Sequence, residues 1–130
     1  MAQKYIIGDL IKYKVGGLEF IAEITNTSKY GYCFKGVSDD ISGTLCKEFA
    51  KDIPLTPEIL QKNGWKPTKE SLGHSFKNEK YPRFALWSIN DKWSFTIDGV
   101  MVCNTLSCLC YVYELQHIFY GLQLDSNLKI

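Results

Sequence analysis

The sequence has almost no arginine, since Arg83 stands alone beside fourteen lysines. Arginine is the side chain that most often recognises phosphates and base edges through two parallel hydrogen bonds. The 15 basic and 14 acidic side chains leave a net charge of +1, so no overall field attracts the chain to nucleic acid or to an anionic membrane surface. We therefore expect neither nucleic acid nor a membrane among its partners.

Long apolar runs and cysteine pairs are also missing. No stretch approaches the about 20 apolar residues that a membrane helix requires, and residues 1–9 hold no apolar run of signal-peptide length. The five cysteines are odd in number and lack the spacing of a disulfide scaffold. These absences predict a cytoplasmic protein with reduced thiols.

Motifs that carry chemistry are absent as well. The sequence contains no Gly-rich phosphate loop, no nucleophile elbow and no two-histidine metalloprotease motif. One group of residues has metal-ligand chemistry, namely Cys103, Cys108, Cys110 and His117. Its spacing matches no common zinc motif, so we expect no metal and no cofactor. We also expect no catalytic residues, with an enzyme whose site is assembled across the fold as an alternative.

The best-defined local pattern is a short helix at residues 57–63. Thr56 is a favourable N-cap, and Pro57 suits the first helical position because its missing N–H would be unpaired there anyway. Gly64 can adopt the left-handed conformation that ends a helix. We interpret residues 54–66 as a hinge helix between two halves of the chain, which together are expected to form one compact domain.

The first half, residues 1–53, has the pattern of short antiparallel strands. Leu18–Ile24 alternates apolar and polar side chains, and Gly16–Gly17 favours a tight turn before it. Residues 44–49 fit neither a strand nor a loop well. The pattern predicts a small SH3-like β-barrel unit, with a simple meander as the alternative.

The second half, residues 67–130, is predicted to be a second antiparallel sheet packed by a C-terminal helix. Trp93–Ile97 alternates as a strand does, and Asp98–Gly99 is the strongest hairpin-turn signal in the chain. The helix is expected from about 109 to 122, with Gln116 on its polar side. Its apolar face consists of Val112, Leu115, Phe119 and Leu122. The predicted fold class is therefore α+β.

The polar segment 66–83 is predicted to be a loop that enters a strand, and its end is the candidate ligand site. Cations and aromatic rings alternate there, as a phosphate-bearing ligand with a stackable base requires. The candidate ligand-binding residues are Lys77, Lys80, Tyr81, Arg83 and Phe84. An ordinary solvated loop is the alternative. A second type of site, an aromatic groove for a peptide, would use Tyr13, Tyr30 and Tyr32.

Two stretches resemble one group of proteins. Residues 53–65 begin Ile-Pro-Leu-Thr-Pro-Glu-Ile-Leu, and residues 111–122 contain Val-Tyr-Glu-Leu-Gln. With these stretches the chain resembles short uncharacterised proteins encoded by phages and mobile elements of Bacteroidetes-type gut bacteria. It departs from them at Leu124, where the group tends to end its helix with glycine. The resemblance implies an accessory role against host defence, in the host cell cytoplasm, and it brings no catalytic residues.

These observations together predict a non-enzymatic phage accessory protein that sequesters a small anionic, nucleotide-like ligand. The alternatives are a binder of a host protein through an aromatic surface, and an enzyme whose site the sequence does not display. A homo-oligomer is compatible with the sequence.

Overall fold

A computed structural model gives the fold of most of the chain. The residues that it describes are 4–29, 31–38, 40–69, 74–89, 92–101, 109–124 and 128–130. They form two compact units, the first from Met1–Ile53 and Tyr111–Gly121, the second from Pro54–Cys110 and Leu122–Ile130. Most of the regular structure is β-sheet, with two short α-helices, in agreement with the predicted α+β class.

The first unit is built on one antiparallel sheet. Its strands are β1 (Leu10–Val15), β2 (Leu18–Thr27), β3 (Gly31–Gly36), β4 (Ser42–Cys46) and β5 (Ala50–Lys51). They lie in the order β4-β3-β2-β1-β5, and a 3-10 turn at Lys47–Phe49 leads into β5. Among the described residues β4 pairs only with β3 and β5 only with β1, so this sheet is open and no closed barrel is found.

Three of the four alternating apolar residues of β2 lie in the core of the first unit as predicted, whereas Leu18 is 53% exposed. Phe20, Ala22 and Ile24 all point inward and are buried. Gly16 and Gly17 have φ values of +56° and +84°, which confirms the tight turn between β1 and β2. Glycine suits both positions because a Cβ atom disfavours positive φ.

Helix α2 (Val112–Gly121) belongs to the first unit, whereas the sequence pattern predicted that it packs on the second sheet. The attachment is polar as well as apolar. The backbone N–H of Leu10 donates to Oε1 of Gln116 over 2.8 Å, and Nε2 of Gln116 donates to the carbonyl of Gly8 over 3.0 Å. Gln116 is therefore buried, contrary to its predicted place on the polar side.

Helix α2 also begins later than predicted. Leu109 exchanges two backbone hydrogen bonds with Trp93, of 2.6 and 2.8 Å, and this bridge holds it in an extended conformation. The Glu114 side chain then accepts from the backbone N–H of Tyr111 over 3.1 Å. This hydrogen bond is one of the two that make up a capping box, and it fixes the helix start after Tyr111.

The second unit contains another antiparallel sheet and one helix. The strands are β6 (Trp65–Pro67), β7 (Ser75–Asn78), β8 (Tyr81–Ile89), β9 (Lys92–Ile97) and β10 (Val100–Met101), in the order β10-β9-β8-β7-β6. Asp98 and Gly99 have φ values of +52° and +82°, which confirms the hairpin turn between β9 and β10. The turn expected at residues 90–91 and the continuation of the last strand to Cys103 lie outside the described residues.

Helix α1 (Pro57–Lys62) begins at the predicted residue and ends one residue earlier than predicted, with Asn63 as its C-cap. The backbone N–H of Ile59 donates to Oγ1 of Thr56 over 3.3 Å, which confirms the N-cap. Gly64 has a φ of +88°, and its N–H donates to the carbonyl of Gln61 over 3.2 Å. This hydrogen bond is one of the two that define a Schellman motif.

Strands β6 and β7 lie in the segment that was predicted to be a loop. Trp65 and Phe76 are buried, whereas their neighbours Lys66 and Lys77 are exposed. The side chain of Asn78 accepts from the backbone N–H of Lys80 over 3.0 Å and closes the turn to β8. Strand β6 has three residues and β7 has four, which is too few for a strand pattern to stand out among polar neighbours.

Candidate functional site

The structure places the five predicted ligand-binding residues along one hairpin of the second unit. Lys77 lies on β7, Lys80 in the turn, and Tyr81, Arg83 and Phe84 on β8. The three cationic side chains are exposed, and the two aromatic side chains are partly buried. The predicted loop is therefore an ordered strand pair, and its residues have fixed faces.

Tyr81, Phe84 and Lys80 are brought together. The rings of Tyr81 and Phe84 stack with centroids 5.4 Å apart and planes 12° from parallel. Nζ of Lys80 lies 5.5 Å from the centroid of the Tyr81 ring. Phe84 also contacts Phe95, at 5.1 Å between centroids, which anchors the stack to the core of the sheet.

A bulge in β8 makes this stack possible. Asn78 pairs with Tyr81, whereas its neighbour Lys77 pairs with Ala85, so residues 82–84 are extra residues on the β8 side. A bulge interrupts the alternation of faces, which is why residues three positions apart can share one face. It also accommodates Pro82, which has no N–H to donate to a ladder.

Lys77 and Arg83 lie on the other face of the sheet. Lys77 pairs with Ala85, the neighbour of Phe84, and side chains at neighbouring strand positions point to opposite faces. On the β9 side the ladder stays regular, since Phe84 pairs with Ile97 and the backbone N–H of Asp98 donates to the carbonyl of Arg83. The side chains of Arg83 and Phe84 therefore point to opposite faces, and Arg83 shares the face of Ala85. The predicted set is thus divided between two faces of one sheet.

Arg83 is paired with an acidic residue. Its Nε donates to Oδ2 of Asp98 over 2.9 Å, and a terminal guanidinium nitrogen donates to the same oxygen. The backbone N–H of Asp98 also donates to the carbonyl of Arg83, over 2.8 Å. The side-chain hydrogen bond raises the pKa of Arg83 and lowers the pKa of Asp98. A ligand anion would have to share this guanidinium with the Asp98 carboxylate.

Lys66 is a residue of this face that the sequence pattern did not single out. It stands directly opposite Lys77 in the β6–β7 pair, and both side chains are exposed. Like charges directly opposite each other destabilise a sheet. Within the part of the chain that the structure describes, neither lysine forms an ion pair with a carboxylate. Lys66 is identified as part of this face by the register between β6 and β7, and no local sequence pattern displays that register.

Trp87 adds a flat aromatic surface to the same face. It lies two positions beyond Ala85 on β8, and its side chain is 41% exposed. Its strand partners are small, Ser75 on β7 and Ser94 on β9. We call the surface formed by Lys66, Lys77, Arg83 and Trp87 the lysine–tryptophan face. It combines positive charge with a ring on which a planar ligand can stack.

The first unit contains a carboxylate–histidine pair. Asp9 is only 2% exposed, and its Oδ2 lies 2.7 Å from Nε2 of His117 and accepts from the backbone N–H of Ile6 over 2.8 Å. Burial raises the pKa of Asp9, and the hydrogen bonds from Ile6 and His117 act in the opposite direction. Together with Gln116, this pair fastens α2 to the segment that precedes β1.

Three of the five cysteines lie in the part of the chain that the structure describes. Cys33 and Cys46 are free thiols and Cys110 is partly buried, whereas Cys103 and Cys108 lie outside the described residues. The described residues contain no cluster of three metal-ligating side chains.

The tyrosine groove predicted in the first unit is wrong in two of its three residues. Tyr13 and Tyr32 are 0% and 3% exposed and pack in the core, because their large rings fill the inner face of the sheet. Tyr30 lies outside the described residues.

In the described part of the chain, no helix combines the length and apolarity needed to cross a membrane. The chain matches no family model, no curated protein and no solved structure.

Proposed function

We propose that the chain is a non-enzymatic binding protein that holds a small anionic ligand with a planar ring on the lysine–tryptophan face. The observation that carries this proposal is the placement of Lys66 directly opposite Lys77, on the face where Trp87 is exposed. Two lysines that repel each other in the free protein gain most from an anion placed between them.

The spacing suits a ligand of nucleotide size. Side chains directly opposite each other in an antiparallel pair have Cβ atoms about 4.5–5.5 Å apart, and diagonal neighbours are about 7–8 Å apart. Trp87 is a diagonal neighbour of Lys77, because Lys77 pairs with Ala85. A phosphate held by the lysines can therefore carry a ring that reaches the indole.

Charge-assisted hydrogen bonds and ring stacking are both strong enough to hold a small ligand on this face. Hydrogen bonds to charged groups contribute about 1.5–3 kcal/mol each, and stacking of a base on an aromatic side chain contributes about 1–3 kcal/mol. Lysine acts as a point charge without the planar fork of arginine, so it suits a phosphate better than the edge of a base. This favours a free nucleotide-like molecule over sequence-specific nucleic acid.

Sequestration of such a ligand to counter host defence agrees with the phage and mobile-element proteins that the chain resembles. An SH3-like interpretation of the first unit is supported by the strand order β4-β3-β2-β1-β5 and by the 3-10 turn before β5. We assign the ligand to the second unit and propose that it is held in the cytoplasm.

The test is isothermal titration calorimetry with a panel of nucleoside mono- and triphosphates. Lys77→Gln and Lys66→Gln should each weaken binding of the tightest nucleotide by about tenfold or more, in line with the loss of one charge-assisted contact. Lys62→Gln is the matched control, because Lys62 is an exposed lysine of helix α1 in the same unit. Trp87→Leu should weaken the nucleotide and leave inorganic pyrophosphate unaffected.

A second variant tests the part played by Arg83. Asp98→Asn removes the competing carboxylate, and asparagine tolerates the φ of +52° at this turn position. Nucleotide affinity should therefore rise in Asp98→Asn. Binding that is equally weakened by the Lys62 and Lys77 substitutions, or no binding of any nucleotide in the panel at millimolar concentration, would overturn the proposal.

A further inference from the structure

The first unit contains an ammonium group held by two rings and a carboxylate. Nζ of Lys4 lies 5.4 Å from the centroid of the Tyr5 ring and 5.6 Å from that of Tyr113. It also lies 2.8 Å from Oδ2 of Asp52. Tyr113 and Asp52 are far from Lys4 in sequence, so the fold itself assembles the surroundings of this cation.

The walls of this site are fixed in advance. The rings of Tyr5 and Tyr113 meet edge to face, with centroids 5.0 Å apart and planes at 78°, and so form a corner. Tyr5 is 3% exposed, and its hydroxyl donates to the other carboxylate oxygen of Asp52. Because the Tyr5 ring is buried and already orients the Asp52 carboxylate, these groups lose little conformational entropy when a cation binds.

The electrostatic surroundings favour a cation. Burial, together with the negative charges of Glu114, Asp52 and Asp9, raises the pKa of Tyr113 to about 12. Aromatic faces attract ammonium groups, and cages of aromatic side chains are a common solution for binding quaternary ammonium ions.

We propose that Tyr5, Tyr113 and Asp52 form a binding site for an organic ammonium group, and that Lys4 occupies it as an internal competitor. The Lys4 side chain is 51% exposed. Exposed ion pairs and exposed cation–π contacts are weak, so Lys4 can leave the site when a better ligand is present. This site lies in the first unit and takes the opposite charge from the nucleotide-like ligand, so it stands independently of the proposed function.

The central experiment compares Lys4→Gln with the wild type by NMR of the tyrosine rings during titration with choline. If Lys4 fills the site for about four-fifths of the time, its removal should tighten choline binding about fivefold. Lys12→Gln is the matched control, since Lys12 pairs with Glu19 over 3.0 Å in the same unit and should leave choline affinity unchanged. The neutral analogue 3,3-dimethylbutan-1-ol has the shape of choline without its charge and should bind at least tenfold more weakly.

Asp52→Asn in the Lys4→Gln background tests the carboxylate. Asparagine still offers an oxygen to the Tyr5 hydroxyl, so the variant removes charge while keeping the contact. Choline affinity should fall about tenfold there, as expected for the loss of a close opposite charge. Equal binding of choline and its neutral analogue, or equal choline affinities of Lys4→Gln and Lys12→Gln, would overturn the proposal.

Two sources could supply the ammonium group, and the probes distinguish them. A free small molecule is indicated if choline binds Lys4→Gln more tightly than a short peptide containing trimethyl-lysine does. A protein-borne side chain is indicated if the peptide binds more tightly. Failure of both probes to bind Lys4→Gln contradicts the site itself, and neither result depends on the lysine–tryptophan face.

Discussion

At the scale of single residues, Gly64 is the residue at the end of helix α1 whose backbone conformation most restricts the choice of side chain. Its φ of +88° is in the left-handed region, and a Cβ atom built there would lie 3.4 Å from Nδ2 of Asn78. Space is therefore adequate and the strain is in the backbone. We expect Gly64→Ala to lower the free energy of unfolding by about 1 kcal/mol, measured by urea denaturation.

Gly121 provides the matched control for this substitution. It is the last residue of α2, its φ is not positive, and a Cβ atom there would meet nothing within 4 Å. Gly121→Ala should leave stability unchanged or raise it by up to about 1 kcal/mol. If the two substitutions change the free energy of unfolding equally, alanine adopts the left-handed conformation at position 64 without strain.

Residues whose partners are close in sequence could be predicted, and those with distant partners could not. Thr56 caps an N–H three residues away, and Asp98–Gly99 forms a turn by itself, so local chemistry was sufficient. The pairing of Arg83 with Asp98 joins a residue of β8 to the turn that follows β9. It depends on the register between β8 and β9, which a single sequence does not display.

At the scale of elements, the candidate site changed because strands impose faces on residues that are neighbours in sequence. Lys77 and Phe84 belong to one polar-aromatic segment, yet the pairing of Lys77 with Ala85 separates them. The same register brings Lys66 and Trp87 to the face of Lys77. The sequence pattern singled out this hairpin as the segment with both cations and rings, and it could not assign the faces.

The packing of helix α2 could also be predicted only in part from the sequence. Its apolar face indicated that it packs on a sheet, and Val112, Leu115 and Phe119 are indeed buried. Which sheet it packs on depends on polar contacts that hydrophobic periodicity does not register. Gln116 supplies these contacts through Leu10 and Gly8.

Replacing Gln116 tests this attachment. Gln116→Met keeps the length of the side chain and leaves the buried N–H of Leu10 without its acceptor, so the free energy of unfolding should fall by about 1–3 kcal/mol. Tyr120→Met on the same helix is the control, because Tyr120 is 72% exposed and surface substitutions usually change stability by less than about 0.5 kcal/mol. Similar urea midpoints for the two variants would mean that Gln116 does not hold the helix.

At the scale of the whole molecule, the path of the chain determines which segments fold together. The first unit consists of two segments, Met1–Ile53 and Tyr111–Gly121, and the second unit is formed largely by the residues between them. The sequence pattern indicated a change after residue 53, but it assigned residues 54–66 to a hinge and all of residues 67–130 to the second half. Composition and periodicity describe contiguous stretches, so a helix that returns to the first unit is invisible to them.

The ends of the two segments of the first unit lie side by side. The carbonyl of Ile53 accepts from the backbone N–H of Val112 over 2.8 Å. A short linker can therefore replace the intervening residues, as is common where one unit is inserted into another. We expect a chain of residues 1–53, about six Gly and Ser residues, and residues 111–124 to fold, with dispersed amide signals in NMR.

Residues 1–53 alone should not fold under the same conditions. They lack the helix whose Val112 and Leu115 are both 0% exposed, and full burial of one such side chain contributes about 1.5–3 kcal/mol. Total stabilities are only about 5–15 kcal/mol, so the loss of the whole helix face removes a large share. A linked chain with the substitution Gln116→Met should be less stable than the linked chain itself. Dispersed signals from residues 1–53 alone would instead support a first unit that ends at Ile53, with α2 as an accessory to it.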